Sequence, residues 1–121
     1  MREILFKAKH TKDRKWAFGC YVTYTSLHDG NIEHRIIDDI GDVFIVDGNT
    51  VCQHIGLTDK NRTKAFESDK IYDPHENRVF TIYWDKETAA FCLCDGNGWM
   101  KKDISRLSYC EIIGNIHDKE E

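Results

Sequence analysis

No apolar run in the chain approaches the ~20 residues that a bilayer-spanning helix needs, which excludes a helical membrane anchor within it. Excess positive charge is missing too: 17 Lys and Arg face 21 Asp and Glu, for a formal net charge of -4. Nucleic-acid domains draw most of their affinity from counterion release by basic residues. The charge balance therefore argues against a protein that tracks a polyphosphate with its whole surface. The five cysteines, Cys20, Cys52, Cys92, Cys94 and Cys110, form an odd set. In addition, Glu3, Lys7 and Lys9 interrupt the stretch where a signal-peptide core would lie. Both features speak against a secreted disulfide framework. Internal repeats, low-complexity stretches and linkers are absent. The expectation is a soluble cytoplasmic protein with no membrane contact, its thiols reduced and serving as small hydrophobes.

What remains is β-type patterning. With 121 residues the chain is expected to form one domain over residues 1–117, followed by a charged tail at 118–121. Residues 4–8 read as an edge strand, and residues 15–24, K-W-A-F-G-C-Y-V-T-Y, as a long one dense in aromatic and β-branched side chains. Gly19 inside it predicts a bulge or a close backbone approach. A turn at residues 28–31 leads to a strand at 32–37. Residues 42–46 and 51–55, flanking Asp47-Gly48-Asn49, suggest a second hairpin. Residues 70–72 make a short strand ended by Asp73-Pro74. Residues 78–84 are apolar on both faces, as in a central strand, and 89–94 pair with them. Asp95-Gly96-Asn97-Gly98 is a strong turn before Trp99, and residues 109–116 close the fold. Residues 61–70 and 102–108 are the two places for a helical turn. The spacing predicts a mainly-β fold, a small barrel or rolled antiparallel sheet with one or two short helical turns.

Candidate chemistry has a plain competitor at each position. Cys92-x-Cys94, with Cys52, His54 and Cys110 elsewhere, suggests zinc. Two thiols at the strand repeat make a poor chelate for one ion, however, so core cysteines and no metal or cofactor are expected. Asp59, Glu67, Asp69 and Asp73 suggest a carboxylate cluster, but carboxylates in turns cap backbone donors. Asp69 is expected to anchor a turn, and Gln53 and Asn61 to bond loop backbone. His54 and His117 follow strand-like apolar residues and are read as packing side chains, not as proton carriers. No Ser-His-Asp or Cys-His order and no phosphate-cradling glycine loop can be singled out, so no catalytic residue is assigned. The aromatic residues Trp16, Phe18, Tyr21, Tyr83, Trp84 and Trp99 fit a core or an oligomer interface. Trp16 and Trp99 beside Lys15 and Lys101 also fit a surface that stacks nucleic-acid bases.

Residues 51–72 read V-C-Q-H-I-G-L-T-D-K-N-R-T-K-A-F-E-S-D-K-I-Y. This segment resembles the signature of the YopX family of phage and prophage proteins, roughly Q-Y/F-T-G-L-x-D-K-N-G-K-x-I-Y/F-E-G-D-I-V. Gln53, Gly56, Leu57, Asp59, Lys60, Asn61, Phe66, Glu67 and Asp69 match in register. Four more anchors follow the family order: the opening R-E-I-L-F-K-A-K, then K-W-A-F-G at 15–19, V-D-G-N-T-V at 46–51 and E-I-I-G-N-I at 111–116. The resemblance implies a YopX-like fold and a phage or prophage setting, and it brings no reaction with it. It departs from the family at Arg62 and Ser68, where the family has glycines. If those glycines sit at positive φ, a side chain there costs on the order of 1 kcal/mol. Asn61 is the residue expected to take the left-handed position in the first case. The matched positions are read as scaffold. The functional expectation is a non-enzymatic protein that self-associates and binds a phage or host protein. The alternative is a small-barrel nucleic-acid-binding module.

Overall fold

Alternation at period two turns most of this chain into strands. The computed structural model describes residues 3–96 and 101–118, and the chain divides into two compact units, residues 1–54 and 55–121. Trp99 lies outside the described residues.

In the first unit, β1 (Phe6–Lys9), β2 (Trp16–Thr25), β3 (Ile32–Ile37) and β4 (Val43–Val46) form an antiparallel meander. The start of β5 (Cys52–Thr58) adds to the other edge of β1 through Phe6–Gln53 and Lys7–Cys52. The sheet rolls until β4 meets the chain just after β1. His10 bridges Val46, the Thr11 N–H donates to the Ile45 carbonyl at 3.2 Å, and the Asp47 N–H donates to the Lys9 carbonyl at 2.9 Å. Ala8 and Ala17 are a cross-strand pair inside the roll, where they form a core with Ile36 and Val46. Their small size allows the tight curvature. Phe6, Tyr21, Phe44 and Val51 pack around them.

Gly19 shows the close approach its position in the strand predicts. A Cβ on Gly19 would stand 2.1 Å from the carbonyl oxygen of Ile37. The second hairpin, by contrast, is not formed: β4 pairs with β3, and β5 pairs with β1. Asp47 bonds the Asn49 N–H at 3.0 Å and winds Gly48–Thr50 into a 3-10 turn that carries the chain across the roll. The Thr50 hydroxyl then accepts the Lys9 N–H at 2.8 Å and donates to the Asp47 carbonyl at 2.7 Å. The open edge of β1 takes β5 instead.

In the second unit, β6 (Lys64–Phe66) neighbours β5. A separate sheet has the order β10-β9-β8-β7-β11, built from β7 (Asp69–Asp73), β8 (Arg78–Asp85), β9 (Ala90–Cys94), β10 (Lys101–Asp103) and β11 (Glu111–Asn115). β8 is central, and its Phe80 and Ile82 join Ile55, Ala65, Ile71, Leu93, Leu107 and Cys110 in the core. The expected helical turn at 102–108 appears as a 3-10 segment, Ile104–Tyr109, capped by Asp103 on the Ser105 N–H. The other expected helical turn, at 61–70, is strand β6 between two tight turns. Arg62 and Ser68 have φ of 65° and 69°, a conformation that ends a right-handed helix. Both sheets are antiparallel, and among the described residues neither closes into a barrel. A single bridge closes the roll of the first unit where a barrel would need a full ladder.

Substituting Gly19 with alanine drives a methyl into the β3 backbone. It is expected to destabilise the protein by about 2–3 kcal/mol, read as a lower denaturant midpoint with an unchanged slope.

Candidate functional site

The 51–72 segment carries the family signature, and its two buried carboxylates, Asp59 and Asp69, face the backbone. Asp59 is buried. Its Oδ1 accepts the N–H groups of Asn61 and Thr63, both at 2.9 Å, and its Oδ2 accepts that of Ile112 in β11 at 2.9 Å. The Lys60 N–H donates to the Cys110 carbonyl at 3.0 Å. One carboxylate thus closes its own loop and occupies an outward donor of the edge strand β11. Exposed edge donors invite pairing with other chains, so this bond also protects the sheet.

Asp69 is buried as well and serves a second turn. Its Oδ2 accepts the Phe66 N–H at 2.8 Å, and its Oδ1 accepts Asn115 Nδ2 at 2.8 Å. Asn115 Nδ2 also reaches the Glu67 carbonyl at 3.4 Å. Asp69 anchors its turn as expected. Asn61, however, takes part through its main-chain N–H, and Arg62, not Asn61, holds the left-handed position. Gly56, at φ 87°, sits inside β5. Gln53 is in the pair with β1, Leu57 is exposed and Phe66 is buried. The carboxylates of Asp59 and Asp69 are directed at different backbone donors.

Sequence reasoning missed Arg106, whose partner is 33 positions away. Its Nη2 lies 2.7 Å from Asp73 Oδ2 and 3.4 Å from Glu76 Oε1, while Lys102 Nζ lies 3.3 Å from the same Glu76 oxygen. Asp73 is fully buried and also accepts the N–H groups of His75 and Glu76. Burial alone would raise its pKa. The Arg106 guanidinium and the two backbone donors outweigh burial and hold it below the ordinary carboxylate value. No local spacing could have paired residues 73 and 106. Cys110 sits beneath this node, and burial pushes its thiol pKa up to about 11, so it stays protonated and unreactive.

Cys92 and Cys94 project from one face of β9, opposite buried Leu93. Among the described residues no three His, Cys, Asp or Glu side chains converge in a way that could hold a metal ion.

The candidate binding residues separate. Lys15 and Trp16 adjoin at the start of β2 in the first unit. The Trp16 ring already holds Lys7 Nζ at 4.5 Å and Lys9 Nζ at 4.8 Å. Lys101 belongs to the second unit, 3.7 Å from Asp85, whose charge raises the lysine pKa.

The first unit also has a broad exposed face. Alternation along β2 puts Trp16, Phe18, Cys20, Val22 and Tyr24 outside the roll, joined by Arg35 of β3 and by Val43 and Ile45 of β4. Phe18, Val22, Tyr24, Val43 and Ile45 are all exposed. At the far end of β2 and β3 a cleft of about 450 Å³ is lined by Tyr24, Asp29, Glu33 and His34, among others. Its polar groups are engaged: Asp29 with Asn31, Glu33 with Arg35, and His34 Nδ1 with the Tyr21 hydroxyl at 2.6 Å.

The anchors at 46–51, 51–72 and 111–116 thus coincide with turn and edge devices, and the family model described as YopX protein matches residues 5–121. The chain belongs to the YopX family. No curated protein matches it. The YopX match runs across both compact units. It also gives the two departures a physical meaning, because Arg62 and Ser68 occupy left-handed backbone where YopX proteins were expected to have glycine.

Two outcomes follow from this geometry. Arg62→Gly and Ser68→Gly each relieve left-handed strain at some cost in unfolded-state entropy, and each is expected to raise stability by about 0.5–1 kcal/mol in urea unfolding. For Asp73, the folded pKa lies below the unfolded value of about 3.9. Its contribution is therefore present above that value and is lost as pH falls through the folded pKa. The stability gap between wild type and Asp73→Asn should be full at pH 7 and shrink towards pH 3; a gap independent of pH would contradict the ionised Asp73–Arg106 pairing.

Proposed function

We propose that this YopX-family chain is a non-catalytic binding protein that self-associates, encoded by a phage or prophage and acting in the cytoplasm of the bacterial host. The two units are proposed to work as one module, since a single family match runs through both. The observation behind the reading is the outer face of β2–β4, where five large apolar side chains are exposed. Exposed apolar area of this kind on a small domain marks an interaction surface. The chemistry of the acidic residues agrees, because Asp59, Asp69 and Asp73 are engaged with backbone N–H groups and with Arg106. A general acid or base needs a carboxyl group facing a substrate.

A second reading, binding of single-stranded nucleic acid, draws on exposed Lys15 beside Trp16. Lys7 and Lys9 are buried against the Trp16 ring, and Arg35 is paired with Glu33. The cations available to phosphates on that face are accordingly few, and self-association is the better-supported reading.

Light scattering on a size-exclusion eluate at micromolar concentration should give a mass above that of the 14.2 kDa chain. A single monomeric species there overturns the self-association reading.

A further inference from the structure

The outer face of the roll has a pattern that selects its own partner. The strand register arranges it in rows. Cys20, Ile37 and Val43 form one row across β2, β3 and β4; Val22, Arg35 and Ile45 form the next; Tyr24 and Glu33 form the third. The middle strand therefore presents one cation and one anion two residues apart, Arg35 between Val22 and Ile45 and Glu33 beside Tyr24. Within the chain, Arg35 Nε already bonds Glu33 Oε1, and the guanidinium carbon lies 5.0 Å from the centroid of the Tyr24 ring. Both charged side chains remain more than a third exposed.

Two sheets that pack face to face about a two-fold axis can be related in two ways. If the axis runs along the strands, each residue meets its own row, and Glu33 faces Glu33. If the axis crosses β3 at His34 and reverses strand direction, residue 33 of one copy meets residue 35 of the other. Only the second arrangement places opposite charges together, and like charges in apposition cost several kcal/mol. It also sets Val22 against Tyr24 of the second copy, apolar against apolar. Burying a charge is costly unless it is paired, and here the Arg35–Glu33 pairs of the two copies would form an alternating square of four charges. An isologous interface demands this kind of self-complementarity.

We propose that the outer face of β2, β3 and β4 is the surface on which two copies of this chain pair, with strand directions reversed and with Arg35 of each copy meeting Glu33 of the other. This rests on the self-association proposed above and adds its surface and geometry.

The test is sedimentation equilibrium on the full chain and five variants, with circular dichroism to verify folding. Val22→Lys and Ile45→Lys place a charge at exposed positions and should abolish pairing. Arg35→Glu and Glu33→Arg each set like charges opposite one another and should weaken it by about tenfold or more. The double variant Glu33→Arg with Arg35→Glu restores complementarity and should recover affinity to within a few fold of wild type, which a merely structural loss would not do. Should a lysine variant fail to fold, the two charge reversals read against their double variant still decide the matter.

A monomeric wild type overturns both this proposal and the self-association reading. An associated wild type whose state is unchanged in all four single variants overturns only the surface assigned here. Single reversals that weaken pairing without recovery in the double variant overturn the Arg35–Glu33 exchange. Retention of a monomeric wild type on a single-stranded oligonucleotide at ~50 mM salt, lost in Val22→Lys, overturns the proposal by giving the face to nucleic acid.

Discussion

Aspartate carboxylates accepting backbone N–H groups at chain reversals are the interaction on which both units depend. Asp13 bonds Lys15, Asp29 bonds Asn31, Asp38 bonds Ile40 and Asp42, and Asp47 bonds Asn49. In the second unit Asp59, Asp73, Asp85 and Asp103 do the same two residues on. Antiparallel strands need short reversals, and each reversal leaves backbone donors without ladder partners. An Asp side chain supplies the acceptor locally, so a chain with one proline can still turn sharply. The acidic balance is in large part a consequence of this architecture. Asp13, Asp29, Asp85 and Asp103 all have pKa values below the usual range, with backbone or side-chain donors lowering each of them.

The left-handed residues complete the device. Asp73 opens a turn that ends at Asn77 with φ 52°, and Asp85 opens one that ends at Ala89 with φ 53°. Arg62 fits the same scheme after Asp59, whereas the turn at Ser68 is held by the aspartate that follows it, Asp69, on the Phe66 N–H. The YopX signature therefore spells the geometry of two turns and a guarded strand edge. Within it, the Asp59 and Asp69 carboxylates are taken up by backbone N–H groups.

Much of this was legible in the sequence because it is local. Period-two alternation located β3 at residues 32–37, and β8 was placed at the centre of its sheet by having apolar residues on both faces. Gly19 announced a bulge or a close approach, and the family glycines raised positive φ as a condition at 62 and 68, although Arg62 and not the expected Asn61 holds the left-handed position. What was not legible depends on long-range choices. The tight turn at Asp47-Gly48-Asn49 looks the same whether β5 returns to β4 or crosses to β1, and the Lys9–Thr50 bond, 41 residues apart, makes that choice. Residues 61–70 have helix-tolerant side chains, and only the backbone at Arg62 and Ser68 rules a helix out. The pairing of Asp73 with Arg106 depends on the 3-10 segment lying beside β7, 33 positions away in sequence.

The bond from Asp59 to Ile112 spans 53 positions, and this has a consequence for the order of events during synthesis. The strands β1 to β4 and β7 to β10 pair mostly with sequence neighbours, so each meander forms as it leaves the ribosome. The Asp59 loop cannot be completed until the last strand has been made. Until then its carboxylate and the outer edge of β7 wait in water for a segment about fifty codons downstream. A ribosome that stalls in that interval holds a chain whose signature loop has its local bonds to Asn61 and Thr63 within reach but not the one to Ile112.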